Sequence, residues 1–208
     1  AHLKNHERGM MVNGTRVTVR YTLRAGDVLE LADEDTPDTA TEHVTPVDLP
    51  LEVLYEDEHV FVLNKPAHMP THPSHGHLTD TLANALAWRY ACRGEPFVFR
   101  PMGRLDRNTS GVVIVGKTRA ATGCLGNALR RGQVVKRYLA VLDGQLSGDI
   151  GHTYSVEAPI YRPEASGIMR AVTSADTPGA EYALTSYRIL AVSPQATLVL
   201  AEPKTGRT

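Results

Sequence analysis

Residues 103–115 read GRLDRNTSGVVIV, a stretch in which a single carboxylate precedes an apolar run. The run from Val112 to Val115 is β-branched, which is typical of an interior strand. Asp106 is therefore predicted on a loop at a strand end, where a rigid scaffold can hold a reactive group. Arg104 and Arg107 place positive charge on both sides of it, and the Thr-Ser-Gly sequence that follows can supply hydrogen-bond donors. On these residues alone, an aspartate that only bonds its own turn is an open alternative.

The rest of the chain predicts many short strands and few helices. One helix is expected from a cap at Thr79 or Asp80 through Arg93, and a second from about Arg119 to Arg131, stopped by Gly132. Strands are predicted at 51–55, 60–63, 111–117, 135–142, 153–158, 168–173, 182–192 and 196–202. Because this order is not a regular βαβ alternation, it favours an α+β fold on a largely antiparallel mixed sheet.

Three segments are predicted along the chain. Residues 33–50 are acidic at their start, contain proline and lack an apolar period, which indicates a linker. Residues 1–32 contain an Asn-Gly pair at position 13 between two short apolar runs, which predicts a β-hairpin module. Residues 51–208 form the main domain, which is long enough to bury a core of its own.

The net charge of −1 conceals an uneven distribution. Residues 33–58 hold ten acidic side chains and no Lys or Arg, which leaves 22 basic and 13 acidic residues elsewhere, a net charge of +9. A basic body suits contact with the phosphates of a nucleic acid. The candidate contacts are Arg107, Arg130, Arg131, Lys136 and Arg137. Such residues can equally form a solvated face that compensates a helix dipole, and this alternative stays open.

Membrane, disulfide and metal functions are not expected. No apolar run approaches the length of a membrane span and no signal peptide pattern is present, so a cytoplasmic protein is predicted. Cys92 and Cys124 have no disulfide or metal spacing and are expected to be reduced. The histidines in residues 68–77 are dense, but no cysteine or acidic ligand accompanies them, so no metal is predicted.

Several motifs in order resemble the RluA-like pseudouridine synthases. The Arg-Leu-Asp of residues 104–106, followed after two residues by Thr-Ser-Gly and a strand, is similar to the catalytic motif of that family. Further stretches match in the same order: 55–66, 71–73 together with 81–86, 136–141 and 203–208. The first of them ends in a Lys-Pro turn, to which no chemical role is assigned. The resemblance runs from about residue 51 to the last residue. It implies the α+β synthase fold, with an RNA cleft across the sheet.

The resemblance implies an isomerase that converts uridine to pseudouridine in ribosomal or transfer RNA and so acts in RNA modification and processing. Asp106 would be the catalytic residue, Tyr138 would stack on the flipped base, and Arg104 would fill the space that the base leaves. No cofactor or metal is implied, RNA is the partner, and a monomer is expected. The alternative is a non-catalytic RNA-binding protein on a synthase scaffold. Hydrolysis with a second carboxylate, Asp80 or Glu202, is a weaker competitor.

Two departures from the family pattern, and one further resemblance, carry expectations. Gly103 stands where family members often have His. In the family, the Gly-Arg-Thr of residues 206–208 continues to an arginine that bonds the aspartate, so we expect a truncated catalytic domain that is weak or inactive. Residues 1–32 resemble the second half of a small RNA-binding domain found in a ribosomal protein, so a partial module is expected there.

Overall fold

The computed structural model describes residues 10–18, 20–31, 44–163 and 170–205. The chain separates into two compact units, Ala1–Asn127 and Ala128–Thr208, with the boundary inside the second helix. That boundary was not predicted from the sequence. The predicted linker at 33–50 stays a prediction, because its residues up to 43 lie outside the described residues.

A small antiparallel sheet opens the first unit. Its strands β1 (Met10–Val12), β2 (Thr15–Arg16) and β3 (Leu29–Leu31) are arranged in the order β2-β1-β3. Asn13 and Gly14 have φ angles of 51° and 74°, the left-handed geometry that a two-residue hairpin turn requires. The expected hairpin is therefore present, and β3 pairs with β1 as a third strand.

A second sheet carries the core of the first unit. It contains β4 (Glu52–Glu56), β5 (Val60–Lys65) and β6 (Gly111–Gly116) in the order β4-β5-β6, all antiparallel. Alternate residues of β5 are buried, and two of them, Phe61 and Leu63, pack with α1 (Leu82–Arg93). The buried apolar cluster consists of Phe61, Leu63, Met69, Leu82, Ala83, Leu86, Phe99, Val113 and Val115.

The start of α1 differs from the prediction. Its N-cap is Thr81, not Thr79 or Asp80. The Thr81 side chain accepts a bond from the Asn84 backbone N–H at 3.3 Å, and the Thr81 N–H donates to the Asn84 side chain at 3.0 Å. This reciprocal pair satisfies two N–H groups at the helix start. Neither Thr79 nor Asp80 has a polar side chain three residues later with which to form such a pair. The helix ends at Gly94, as predicted.

The second unit is a five-stranded sheet. The helix α2 (Arg119–Arg130) leads into it and ends close to the predicted residue. Its strands are β7 (Tyr138–Asp143), β8 (Thr153–Tyr161), β9 (Ala171–Val172), β10 (Glu181–Val192) and β11 (Ala196–Pro203), in the order β7-β11-β10-β8-β9. All neighbouring strands are antiparallel.

The predicted α+β class is confirmed: the described residues contain two helices and eleven strands. The strands form three separate antiparallel sheets where one largely antiparallel mixed sheet was expected. In the described ranges, none of the helices has the length and apolar character needed to cross a lipid bilayer.

Candidate active site

Both ends of the Asp106 loop are anchored on β6. Before the loop, Pro101 pairs with Val115, and the Met102 N–H donates to the Ile114 carbonyl at 2.7 Å. After it, the chain enters β6 directly. Residues 103 and 111 at the two ends are glycines with φ angles of 88° and 127°, conformations that other residues rarely adopt. The loop is therefore short, and it begins beside β6 and ends at the first residue of that strand.

Asp106 is exposed at the middle of this loop. The turn is closed by backbone atoms, since the Thr109 N–H donates to the Asp106 carbonyl at 3.1 Å. No hydrogen bond from the described part of the chain goes to the Asp106 carboxylate. An aspartate side chain that bonds its own turn therefore does not describe this geometry.

Lys65 lies beneath the loop, and the sequence interpretation assigned it no role. Its side chain is fully buried, at 0% exposed. The Nζ atom donates to the carbonyls of Met69 at 2.6 Å, Pro66 at 2.9 Å and Arg107 at 3.3 Å. Burial lowers the pKa of Lys65, while the negative charge of Asp106 acts in the opposite direction. The signal was present in the sequence: Lys65 falls in the same alternation as the buried Phe61 and Leu63.

The loop is also tied to residues 68–71. The buried Thr71 hydroxyl donates to the Leu105 carbonyl at 2.7 Å and accepts from the Leu105 N–H at 3.2 Å. His68 Nδ1 lies 3.1 Å from the Asn108 side-chain oxygen. Backbone and side-chain atoms on both sides of Asp106 are therefore bonded to the segment that follows β5.

Arg104 acts on His72 on this surface. The His72 ring packs edge-on against Phe99, with 5.0 Å between the ring centroids. Desolvation lowers the pKa of His72, and the positive charge of Arg104 lowers it further. Arg104, Asp106 and Arg107 are all exposed. The structure therefore brings three of the predicted site residues together on one loop of the first unit.

Tyr138 belongs to the second unit, where it is the first residue of β7. It pairs with Ala201 of β11 and is partly buried. The alternation of β7 places Tyr138 on the same face as Ala140 and Leu142, opposite the exposed Leu139. Tyr138 is therefore an aromatic residue of the sheet that keeps part of its surface accessible.

Four predicted RNA contacts also lie in the second unit. Arg130 ends α2, Arg131 follows it and is exposed, and Lys136 is partly buried. Arg137 donates to Glu202 at 2.8 Å, so its charge is already shared with a carboxylate. Arg131 is thus more accessible to a phosphate than Arg137.

The sequence profile described as RNA pseudouridylate synthase matches residues 59–208. The chain belongs to this family. The protein named uncharacterized RNA pseudouridine synthase YjbO of Bacillus subtilis is 36% identical over 199 residues, covering 96% of this chain and 67% of that protein. Ribosomal large subunit pseudouridine synthase D of Zymomonas mobilis is 38% identical over 178 residues, covering 84% of this chain and 54% of that protein. The chain thus spans roughly half to two thirds of the length of these relatives.

A solved structure supports the fold of this chain. Human RNA pseudouridylate synthase domain containing 1 superposes with a TM-score of 0.61 at 24% identity, over 76% of this chain and 61% of that one. Identity at that level supports the fold and not the site. The predicted membership of the pseudouridine synthases is confirmed by the profile and the relatives together.

The two carboxylates considered for hydrolysis both have partners in the structure. Glu202 accepts bonds from Lys204 and Arg137, each at 2.8 Å, and these two cations lower its pKa to about 2. Such a group is a poor proton donor near neutral pH. The Asp80 carboxylate lies 2.6 Å from His77 Nδ1. The geometry of these two groups gives hydrolysis no support.

The part of the chain that the structure describes contains no metal-binding cluster. In those residues, no three His, Cys, Asp or Glu side chains are close enough to hold an ion. His68 and His77 have Asn108 and Asp80 as their partners. Cys92 and Cys124 are free and exposed. Function without a metal stays a prediction.

Proposed function

We propose that this protein isomerises uridine to pseudouridine in structured RNA, with Asp106 as the catalytic residue. The observation that carries the proposal is the Asp106 loop: an exposed carboxylate that accepts no hydrogen bond from the described residues, on a loop bonded by the buried Lys65, in a chain of the pseudouridylate synthase family. A carboxylate with free oxygens can reach a substrate, whereas one already paired cannot do so without losing its partner.

The proposed reaction is balanced without a further reagent. The bond between uracil N1 and ribose C1′ breaks, and a bond forms between C5 and C1′. The proton on C5 leaves, and N1 gains a proton, so nothing is oxidised or reduced. Because the target lies in a stacked or folded RNA, the nucleotide must first be flipped out, at a cost of about a few kcal/mol.

Arg104 and Tyr138 are proposed as the substrate-binding residues. A planar guanidinium can stack in place of the extruded base and bond to phosphate, which suits the exposed Arg104. An aromatic ring can stack on the flipped uracil, which suits Tyr138. Arg107, Arg130, Arg131, Lys136 and Arg137 would contact the RNA backbone, and Arg137 would contribute less than the exposed Arg131 because it is paired with Glu202.

Ribosomal RNA and transfer RNA are the proposed substrate classes. Relatives named for the ribosomal large subunit make ribosomal RNA the first to test. We further propose that the protein acts in the cytoplasm as a monomer and that it needs no cofactor.

The test maps pseudouridine in ribosomal and transfer RNA from cells that lack the gene. The cells are complemented with the full-length protein, with Asp106→Asn, or with Asp80→Asn as a control carboxylate on the same unit. We expect modification to be lost on deletion and restored by wild type and Asp80→Asn but not by Asp106→Asn. The purified Asp106→Asn protein should keep most of its affinity for RNA, since the phosphate contacts are elsewhere.

An unchanged modification map on deletion, together with retained RNA binding, would favour the alternative of a non-catalytic RNA-binding protein. Restoration by Asp106→Asn would remove Asp106 from its proposed role.

A further inference from the structure

Two buried polar side chains bond to the backbone on either side of Asp106. We propose that Thr71 and Lys65 are positioning residues, which hold the Asp106 carboxylate at the reacting atoms by fixing the peptide groups before and after it. This inference rests on the proposed function and deepens it. It concerns residues that do not themselves touch the substrate.

Thr71 fixes the residue that precedes Asp106. Its hydroxyl uses both of its hydrogen-bonding functions on Leu105, donating to the carbonyl at 2.7 Å and accepting from the N–H at 3.2 Å. Thr71 is 3% exposed, so water does not compete for these bonds. Two bonds from one rigid, β-branched side chain restrict both the position and the rotation of the Leu105 backbone.

Lys65 fixes the residue that follows Asp106. Its ammonium group has three protons, and they meet three carbonyl oxygens, of which one belongs to Arg107 and the others to Pro66 and Met69. The Arg107 carbonyl is thus joined to the end of β5 through a fully buried side chain. The same ammonium is close enough to Asp106 for the two opposite charges to interact.

An exposed carboxylate in an irregular loop needs such support. Neither the loop between Gly103 and Gly111 nor Asp106 itself belongs to a helix or strand. A displacement of about 1 Å at a reacting group can lower a rate by about 10²-fold. Anchors on the two neighbouring residues limit that displacement while leaving the carboxylate free for the substrate.

A purely structural role is the competing explanation, and the chain offers a matched control. Thr197 is also fully buried, and its hydroxyl accepts from the Leu146 N–H and donates to the Gly144 carbonyl, each at 3.0 Å. It therefore ties a loop in the same manner as Thr71, but that loop contains none of the proposed site residues. Thr71→Val and Thr197→Val remove equivalent bonds at nearly constant volume.

The experiment compares full-length wild type, Thr71→Val, Thr71→Ser and Thr197→Val. The substrate is an unmodified transcript of large-subunit ribosomal RNA carrying tritium at uracil C5, and single-turnover release of tritium is measured with enzyme in excess. We expect Thr71→Val to lower the single-turnover rate at least about tenfold with little change in RNA affinity. Thr71→Ser, which keeps the hydroxyl, should recover most of the rate. Thr197→Val should lose thermal stability comparably and keep the wild-type rate.

Amide hydrogen exchange at Leu105 gives a second readout that needs no turnover. The Leu105 N–H should exchange faster in Thr71→Val than in wild type or Thr197→Val. An unchanged Leu105 exchange rate, or a Thr71→Val rate constant equal to that of wild type, overturns the positioning role. A wild type that releases no tritium instead counts against the proposed function on this RNA, while the exchange measurement still decides whether Thr71 holds the loop.

Discussion

The ammonium group of Lys65 and the backbone carbonyl of Arg107 lie 3.3 Å apart, although 42 residues separate them in the sequence. Lys65 is the last residue of β5, and Arg107 follows the proposed catalytic aspartate. This bond joins the end of a core strand to the loop that carries Asp106. The stability of the core and the geometry of the loop are therefore coupled at one side chain.

Replacing Lys65 by methionine should both destabilise the fold and slow the reaction. Methionine fills a similar volume but leaves the carbonyls of Pro66, Met69 and Arg107 without their donor, which costs about 1–3 kcal/mol. Urea denaturation measures the loss. Lys204→Met is the control, because that side chain is half exposed and forms a surface ion pair with Glu202; its expected cost is under about 1 kcal/mol. Equal costs for the two variants would contradict this account.

Glu56 should confer a stability that disappears in acid. Its carboxylate accepts bonds from Arg93 at 2.7 Å, Arg89 at 2.8 Å and Lys117 at 2.9 Å. The Arg93 bond is the main cause that lowers its pKa from 4.5 to about 2, with Lys117 and Arg89 adding to it. Since the folded-state pKa is depressed, the stabilisation is present above pH 4.5 and is lost as the pH falls toward about 2.

We therefore expect Glu56→Gln to cost about 2–3 kcal/mol near neutral pH and progressively less below pH 4.5. Denaturation curves of both proteins across this range provide the measurement. Glu52→Gln serves as the control on the same strand, since Glu52 bonds the neutral Asn64, and its cost should stay under about 0.5 kcal/mol. A Glu56→Gln penalty that does not change with pH would show that charge is not the cause.

Gly103→Ala should destabilise the loop, although space exists for the added methyl group. No atom lies within 4 Å of the position of a Cβ at Gly103, but its φ of 88° strains any other residue, at about 1–2 kcal/mol. Gly123→Ala is the matched control, because Gly123 has equally open surroundings inside α2. That substitution should stabilise the protein by about 0.5–1 kcal/mol. Thermal unfolding distinguishes them, and the two shifts should have opposite signs.

Local patterns predicted most of the secondary structure. The alternation of apolar residues located β5, and the β-branched run located β6, because each strand buries one face or both against the core. The ends of α1 and α2 followed from glycines after the last turn. The cap at Thr81 was missed because the choice depends on Asn84, whose side chain also bonds the carbonyls of Leu78 and Thr45.

The carboxylate at the proposed site could be located from sequence, but the residues that hold it could not. Arg104, Asp106 and Arg107 are neighbours in the chain, so their proximity needs no folding. Thr71 meets Leu105 across 34 residues, and only the folding of the segment after β5 against the loop before β6 brings them together.

The sequence by itself determined the α+β class, the position of Asp106 beside a buried strand and the membership of the pseudouridylate synthase family, because strand periodicity and contiguous motifs are local properties. The tertiary structure alone decided that Lys65 is a buried anchor rather than a turn residue, that Glu56 gathers three cations, and that Glu202 is neutralised by Arg137 and Lys204. Burial and charge pairing depend on which distant residues fold against each other, and no local pattern contains that information.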